Sequence, residues 1–174
     1  SVSTETIRIV RQLTRVIDPL NRATTFTYDA FGNVVGQLDA AGFASAATFN
    51  STGSLTKATD AEGHSAQFVY DALDRTTSAT NALGRTSQYV YDAHDNLTSI
   101  TDARGNTTTY VYDALDRLVQ KNDPLGKQTK YSYDGVGNLT TLTDSKGSVK
   151  NFTYDAGGRL IQAQLAGGDS IAYG

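Results

Sequence analysis

The chain has 174 residues, of which 39% are hydrophobic and 19% charged, and its net charge is −3. An acidic chain of this kind lacks the broad basic surface that binds nucleic acid, and no segment predicts a membrane span. The absence of cysteine excludes disulfides, thiol nucleophiles and cysteine-bound metals, and two histidines leave little for proton-relay chemistry. Most enzyme classes are therefore disfavoured.

The dipeptide Tyr-Asp recurs along the chain with a period of 21 residues. Its aromatic residues, one of them a phenylalanine, are Tyr28, Phe49, Tyr70, Tyr91, Tyr112, Tyr133 and Tyr154. A glycine ladder follows in phase, at Gly42, Gly63, Gly84, Gly105, Gly126, Gly147 and Gly168. One period before Tyr28, Ile7 fills the same slot, so the array begins at or before residue 7. Two interlocked ladders indicate a repeat protein, and both are interpreted as structural.

Each unit predicts a β-hairpin. The segments Leu118–Lys121 and Gln128–Tyr133 are typical of strands, and the intervening Asp-Ala-Leu-Asp and Asp-Pro-Leu-Gly segments are typical of turns. The fold class is therefore all-β, with 21-residue hairpins forming a curved or spiralling antiparallel sheet ribbon. Residues 1–174 are expected to form a single array of about seven and a half repeats that belongs to a longer chain.

The turns predict unusual backbone conformations and raise one metal hypothesis. Gly84, Gly105 and Gly126 recur at one turn slot, so we expect them to have positive φ. Three central repeats contain D-x-x-D turns, at Asp71/Asp74, Asp92/Asp95 and Asp113/Asp116. Such pairs are either ordinary turn residues or shared calcium ligands. Because the spacing lacks the dense oxygen run of calcium loops, we expect no metal site and no cofactor.

Two further rows accompany the tyrosines. An aromatic residue stands two positions before most of them, at Phe26, Phe68, Tyr89, Tyr110, Tyr131 and Phe152. Alternation along a strand places both aromatic rows on one face, where they either pack across strands or form a platform for sugar rings. An aliphatic row lies in the partner strand, at Leu13, Val34, Leu55, Leu97, Leu118, Leu139 and Leu160. The sequence leaves open whether this row shares the tyrosine face.

No catalytic residue is predicted. His64 and His94 lie in different turns more than one unit apart, so a catalytic pair is not expected. No serine lies in a nucleophile-elbow setting, and the charges alternate in sign through the turns. Residues unique to one repeat, such as Phe43 and Glu62, are dispersed rather than convergent.

The 21-residue unit resembles the RHS or YD repeat. The segments Tyr91–Val111 (YDAHDNLTSITDARGNTTTYV) and Tyr133–Thr153 (YDGVGNLTTLTDSKGSVKNFT) carry the resemblance, which extends over about residues 7–173. It implies a ribbon of hairpins that spirals into a hollow shell. In bacterial Rhs toxins and insecticidal toxin complexes such a shell encloses a toxic polypeptide, and teneurins use a related shell at cell contacts. The family's self-cleaving closing segment and toxin domain are not matched.

The resemblance predicts a structural function, namely building the wall of an RHS-type shell that encapsulates or presents a toxin or cell-surface polypeptide. The expected partners are further repeats of the same parent chain, or other copies joined edge to edge. Secretion or the cell surface is the expected location. Two alternatives stay open: an interaction module that binds glycans or a partner surface through aromatic or Thr-rich faces, and a filament that self-assembles through sheet edges.

Overall fold

The computed structural model describes residues 12–173 and contains sixteen antiparallel strands in that range, with no helix. The chain divides into two compact units, Ser1–Thr86 and Ser87–Gly174. The first contains β1 to β7, which are Arg15–Ile17, Ala23–Tyr28, Val34–Leu38, Ala44–Phe49, Leu55–Thr59, Ser65–Tyr70 and Thr76–Thr80. β8 begins at the last residue of the first unit and is described with the second. The part of the chain that the structure describes has no helix long and apolar enough to span a membrane.

The second unit continues the same pattern. Its strands β8 to β16 are Thr86–Tyr91, Leu97–Thr101, Thr107–Tyr112, Leu118–Asn122, Gln128–Tyr133, Leu139–Thr143, Val149–Tyr154, Leu160–Gln164 and Ser170–Ala172. Within each unit the strands pair in chain order. The all-β hairpin fold is therefore confirmed.

A β-bulge recurs in the hairpin that follows each Tyr-Asp strand, and it determines which residues share a face. In the pair β10 and β11, Val111 lies opposite Gln120 while Tyr112 lies opposite Leu118, so the register shifts by one residue. The same shift occurs after β2, β4, β6, β8, β12 and β14. Residues directly opposite each other share a face. The aliphatic row therefore lies on the tyrosine face, which resolves the question that the sequence leaves open.

Each unit consequently has two chemically different faces. The aromatic face carries the tyrosine, phenylalanine and aliphatic rows, and its side chains are mostly half-buried. The opposite face, called here the hydroxyl face, carries mainly threonine, serine, glutamine and asparagine, together with lysines and exposed valines such as Val69, Val90 and Val111. Among the described residues, Ala163 is the buried hydrophobic residue, at 5% exposure. Contacts between neighbouring strands, rather than a deep core, therefore provide most of the packing within each unit.

Candidate functional site: contacts between successive repeats

The turns are capped by their first residue, usually aspartate. In the turn that begins at Asp113, the amides of Leu115 and Arg117 donate to one carboxylate oxygen at 2.9 and 3.0 Å. The amide of Asp116 donates to the carbonyl of Asp113. This closes a turn whose fourth residue takes a left-handed conformation. The predicted positive φ is confirmed, with values of 71° at Gly84, 84° at Gly105 and 76° at Gly126.

Tyrosine hydroxyls tie five of the described repeats to the one before them. The hydroxyl of Tyr112 donates to the carbonyl of Leu97 at 2.9 Å, where the β9 and β10 backbone ladder has already ended. The same bond joins Tyr28 to Leu13, Tyr70 to Leu55, Tyr133 to Leu118 and Tyr154 to Leu139. A carbonyl left outside the ladder needs a donor, and the phenol supplies it. The tyrosine row is thus a row of hydrogen-bonded cross-links.

Two turn aspartates form a second kind of tie. Asp74 and Asp116 have positive φ, at 62° and 58°, and their carboxylates point at the turn of the preceding repeat. Asp74 accepts hydrogen bonds from the Asn50 amide and from the hydroxyls of Thr52 and Ser54. The sequence did not predict these contacts, because they depend on how neighbouring turns align.

The equivalent contact in the second unit involves a histidine. Asp116 accepts from Asn96 Nδ2 at 2.7 Å and lies 3.1 Å from His94 Nδ1. Its D-x-x-D partner, Asp113, is bound instead by Arg117 within its own turn. The two carboxylates of this D-x-x-D pair are therefore directed to different partners.

Arg117 joins two repeats through three groups. Its guanidinium forms a two-point ion pair with Asp113 at 2.7 Å and also donates to the carbonyl of Asp134 at 3.0 Å. The guanidinium carbon lies 4.8 Å from the centroid of the Tyr133 ring, which is a cation–π distance. Arg159 Nε donates to Asp155 at 2.7 Å, but the Arg159 side chain is 86% exposed.

These contacts shift the pKa of several groups. The Arg117 side chain holds the pKa of Asp113 below its ordinary value, and the Ser54 hydroxyl does the same for Asp74. Burial raises the pKa of Tyr112 and Tyr133, so both phenols stay protonated and able to donate. The aspartates are therefore kept as acceptors and the tyrosines as donors.

One turn in the first unit brings together three groups that can ligate a metal. Asp60, Glu62 and His64 place one ligand atom each within 4.8 Å of one another. His64 Nδ1 lies 3.2 Å from Asp60 and 3.5 Å from Glu62, and all three side chains are more than half exposed. The remaining Asp60 oxygen caps the turn through the amides of Glu62 and His64. A turn-capping role accounts for this arrangement.

His64 and His94 contact different partners. His64 contacts acidic residues of its own turn, whereas His94 contacts Asp116 of the next repeat. Neither contact includes a hydroxyl nucleophile. The ladder tyrosines and glycines are repeated at equivalent positions, so their arrangement produces a regular row rather than a pocket in which unlike groups converge.

Together these features define a β-hairpin repeat protein in which side-chain hydrogen bonds link neighbouring repeats within each unit. The RHS Repeat family matches residues 12–44, 49–89, 91–128, 112–149 and 133–170. The chain therefore belongs to the RHS repeat family. No curated protein matches it by sequence.

The fold also occurs in solved structures. The crystal structure of TcdB2-TccC3-Cdc42 matches with a TM-score of 0.65 and 19% identity over 83% of this chain. TcdB2-TccC3 matches with a TM-score of 0.63 and 20% identity over 82% of the chain. TcdB2-TccC3 without its hypervariable C-terminal region matches with a TM-score of 0.64 and 19% identity over 83%. This chain spans 9% of the length of each of these chains.

Proposed function

We propose that this chain is a wall-forming segment of an RHS-type shell that encloses or presents another polypeptide, and that it has no catalytic activity of its own. The observation that carries the proposal is the repeated tyrosine tie, in which the Tyr112 hydroxyl and four equivalents bind the backbone of the preceding hairpin. A wall needs similar contacts between successive neighbours, and this hydrogen bond recurs at the same slot in five repeats.

The chemistry of the repeats supports a structural role. A catalytic site needs unlike groups around one reacting atom, whereas repeats place like groups at regular intervals. The titratable groups of the turns are engaged in turn caps and cross-repeat ties, as Asp113 and Asp74 illustrate. These carboxylates accept hydrogen bonds that stabilise the turns and link neighbouring repeats.

The likeness to the TcdB2-TccC3 structures supports the proposed setting. Since this chain spans 9% of those chains, further repeats of one parent chain are the natural partners that complete a wall. The enclosed polypeptide in this proposal is a toxin or a cell-surface segment, and the site of action is outside the cell. Edge-to-edge pairing of separate copies is the second route to a larger sheet.

A grafting experiment tests the wall. Six in-phase repeats, residues 28–153, replace six repeats in an RHS protein whose enclosed polypeptide is measurably protected from protease. We expect the graft to preserve protection, because tyrosine ties form across both junctions when the 21-residue phase is kept.

The matched control carries the same residues shifted by half a period, so that the tyrosines miss their carbonyl partners. Protection should fall in the shifted graft. Equal loss of protection in the in-phase and shifted grafts, with both proteins folded, would contradict the proposed wall function.

A further inference from the structure

Charge is distributed unequally between the strands and the turns. The sixteen described strands contain no aspartate and no glutamate, and their charged residues are Arg15, Lys57, Lys121, Lys130 and Lys150. The acidic residues of the described chain lie in the turns. Although the whole chain has a net charge of −3, the strand surfaces are therefore neutral or positive.

Two of these lysines lie on the aromatic face of the second unit. Lys121 is opposite Tyr110 on one side and Thr129 on the other. Lys150 is opposite Leu142, which is itself opposite Tyr131. We call Tyr110, Lys121, Tyr131, Leu142 and Lys150 the lysine patch. It combines two ammonium groups with aromatic and aliphatic side chains on one surface.

The charges of the patch are not neutralised within the described residues. Neither Lys121 nor Lys150 has an ion-pair partner there, and the hydroxyls of Tyr110 and Tyr131 make no hydrogen bond there. The turn carboxylates are already engaged, as Asp144 shows by accepting from the amides of Lys146 and Ser148 at 2.8 and 2.9 Å. The patch thus offers hydrogen-bond donors and positive charge to an external group.

We propose that the lysine patch binds an extended acidic segment of a polypeptide, and this inference rests on the proposed wall function. Charge complementarity identifies the partner, since carboxylates would pair with the two ammonium groups while apolar side chains contact the rings. Lys121 and Lys150 are three strands apart, which at about 4.8 Å per strand gives a separation of roughly 15 Å. An extended segment spans this distance in about four residues.

This spacing specifies the sequence that the patch recognises. In an extended chain, residues i and i+4 point to the same side, so two acidic residues at that spacing can reach both lysines. The residue midway between them, at i+2, points to the same side, and an apolar side chain there would lie over Tyr131 and Leu142. A segment that is acidic at every position lacks the apolar contact, and a neutral segment lacks the two carboxylates.

A peptide titration tests the inference. The probe is a fluorescently labelled peptide, Gly-Glu-Gly-Phe-Gly-Glu-Gly, with its termini blocked, and the reference peptide has Gln in place of both Glu residues. We expect the Glu peptide to bind the 174-residue chain at least tenfold more tightly than the Gln peptide at low ionic strength. Fluorescence anisotropy measures both affinities.

Internal repeats supply conservative variants. Lys121→Leu and Lys150→Thr introduce the residues that the equivalent slots carry at Leu142 and Thr129. The double variant should fold normally, as judged by circular dichroism, and should lose the tenfold preference for the Glu peptide. Lys57→Ser with Lys130→Thr removes the same charge from the hydroxyl face and should change the affinity by less than twofold.

Three results would overturn the inference. They are equal binding of the Glu and Gln peptides, equal loss in the control variant, and binding of the sulfated polysaccharide heparin at the patch without binding of either peptide. Each leaves the wall function standing, because grafted repeats can protect an enclosed polypeptide without a lysine patch. Failure of the graft with intact peptide preference would instead contradict the wall.

Discussion

At the scale of single residues, the two aromatic rows have different roles. Tyr112 ends its strand and donates its hydroxyl to Leu97, whereas the hydroxyl of Tyr110 makes no hydrogen bond within the described residues. A carbonyl that loses its donor in a half-buried setting is costly, while a solvated hydroxyl contributes little. The Tyr112 hydroxyl therefore stabilises the contact between two repeats, whereas the Tyr110 hydroxyl does not.

Replacing Tyr112 with Phe should destabilise the chain by about 1–2 kcal/mol, because the ring packing is kept but the carbonyl of Leu97 loses its donor. Urea denaturation measures the change in unfolding free energy. Tyr110→Phe is the matched control and should leave it nearly unchanged. Equal effects of the two substitutions would show that the hydroxyl tie does not stabilise the fold.

Replacing Gly105 with Val should cost about 1–3 kcal/mol, because its φ of 84° is closed to β-branched residues. An added Cβ would meet nothing within 4 Å there, so the cost comes from backbone strain rather than from a clash. Gly135 has equally open space but no positive φ, so Gly135→Ala is the control and should be nearly neutral. An unchanged thermal midpoint for the Gly105 variant would refute the strain argument.

The sequence predicts the positions of these residues but only part of their chemistry. A glycine at a fixed turn slot indicates positive φ directly, because no other residue type tolerates it as well. The Tyr112 hydroxyl bond depends on where the β9 ladder ends, and the Asp74 bonds depend on the alignment of two turns. Both are set by register between repeats, which a single repeat's sequence does not encode.

At the scale of elements, the turn that joins β15 to β16 departs from the others. Leu165 stands where Asp144 and its equivalents cap the preceding turns, so two turn amides lack the carboxylate acceptor. The backbone bonds of the turn persist, with the Leu165 amide donating to the Asp169 carbonyl at 2.7 Å. The last described hairpin is therefore closed by its backbone alone.

Leu165→Asn should stabilise this hairpin by about 1 kcal/mol, because an amide oxygen restores the cap as Asn81 does. Asparagine is preferred to aspartate, since Asp169 would repel a second carboxylate. Hydrogen exchange of the β16 amides should slow about fivefold. Leu165→Ala lacks the acceptor and should not slow it; protection in that variant would contradict the capping mechanism.

Stability should fall in acid. The aspartates with lowered pKa include Asp71, Asp74, Asp113 and Asp134, whose hydrogen bonds favour the ionised form. A folded pKa below the ordinary 3.8 means that their contribution is present above that pH and is lost as the pH falls through the lowered values. Urea midpoints from about pH 7 to pH 2 measure this, and a constant midpoint below 3.8 would contradict it.

The hairpin elements themselves follow from sequence, but the bulge does not. Alternating Thr and aromatic residues around Asp-x-x-Gly turns predict strands and loops because each residue type matches its local geometry. Whether Leu118 shares the face of Tyr112 depends on one extra residue in β11, which leaves no compositional mark. The aromatic face therefore emerges only from the observed register.

At the scale of the whole molecule, the 21-residue period predicts a linear array because equivalent residues can repeat only if neighbouring units pack alike. The period does not predict the lysine patch. Lys121 and Lys150 come from different repeats and different slots, and only the pairing of both to the Tyr131 face brings them onto one surface. Residues that differ between repeats therefore determine the lysine patch, and the 21-residue period alone does not predict it.

The last described strand should govern how separate copies associate. β16 pairs with β15, and within the described residues it has no second strand neighbour; its three residues are exposed. A strand edge of this kind presents amides and carbonyls that another chain can pair with, so the 174-residue chain should self-associate as its concentration rises. Placing Pro at both Ser170 and Ala172 removes two amide donors and should suppress association.

Sedimentation velocity measures the change, with Ser170→Thr plus Ala172→Val as the strand-favouring control. A concentration-independent monomer for the unmodified chain would refute edge pairing, and unchanged association of the proline variant would place the contact elsewhere.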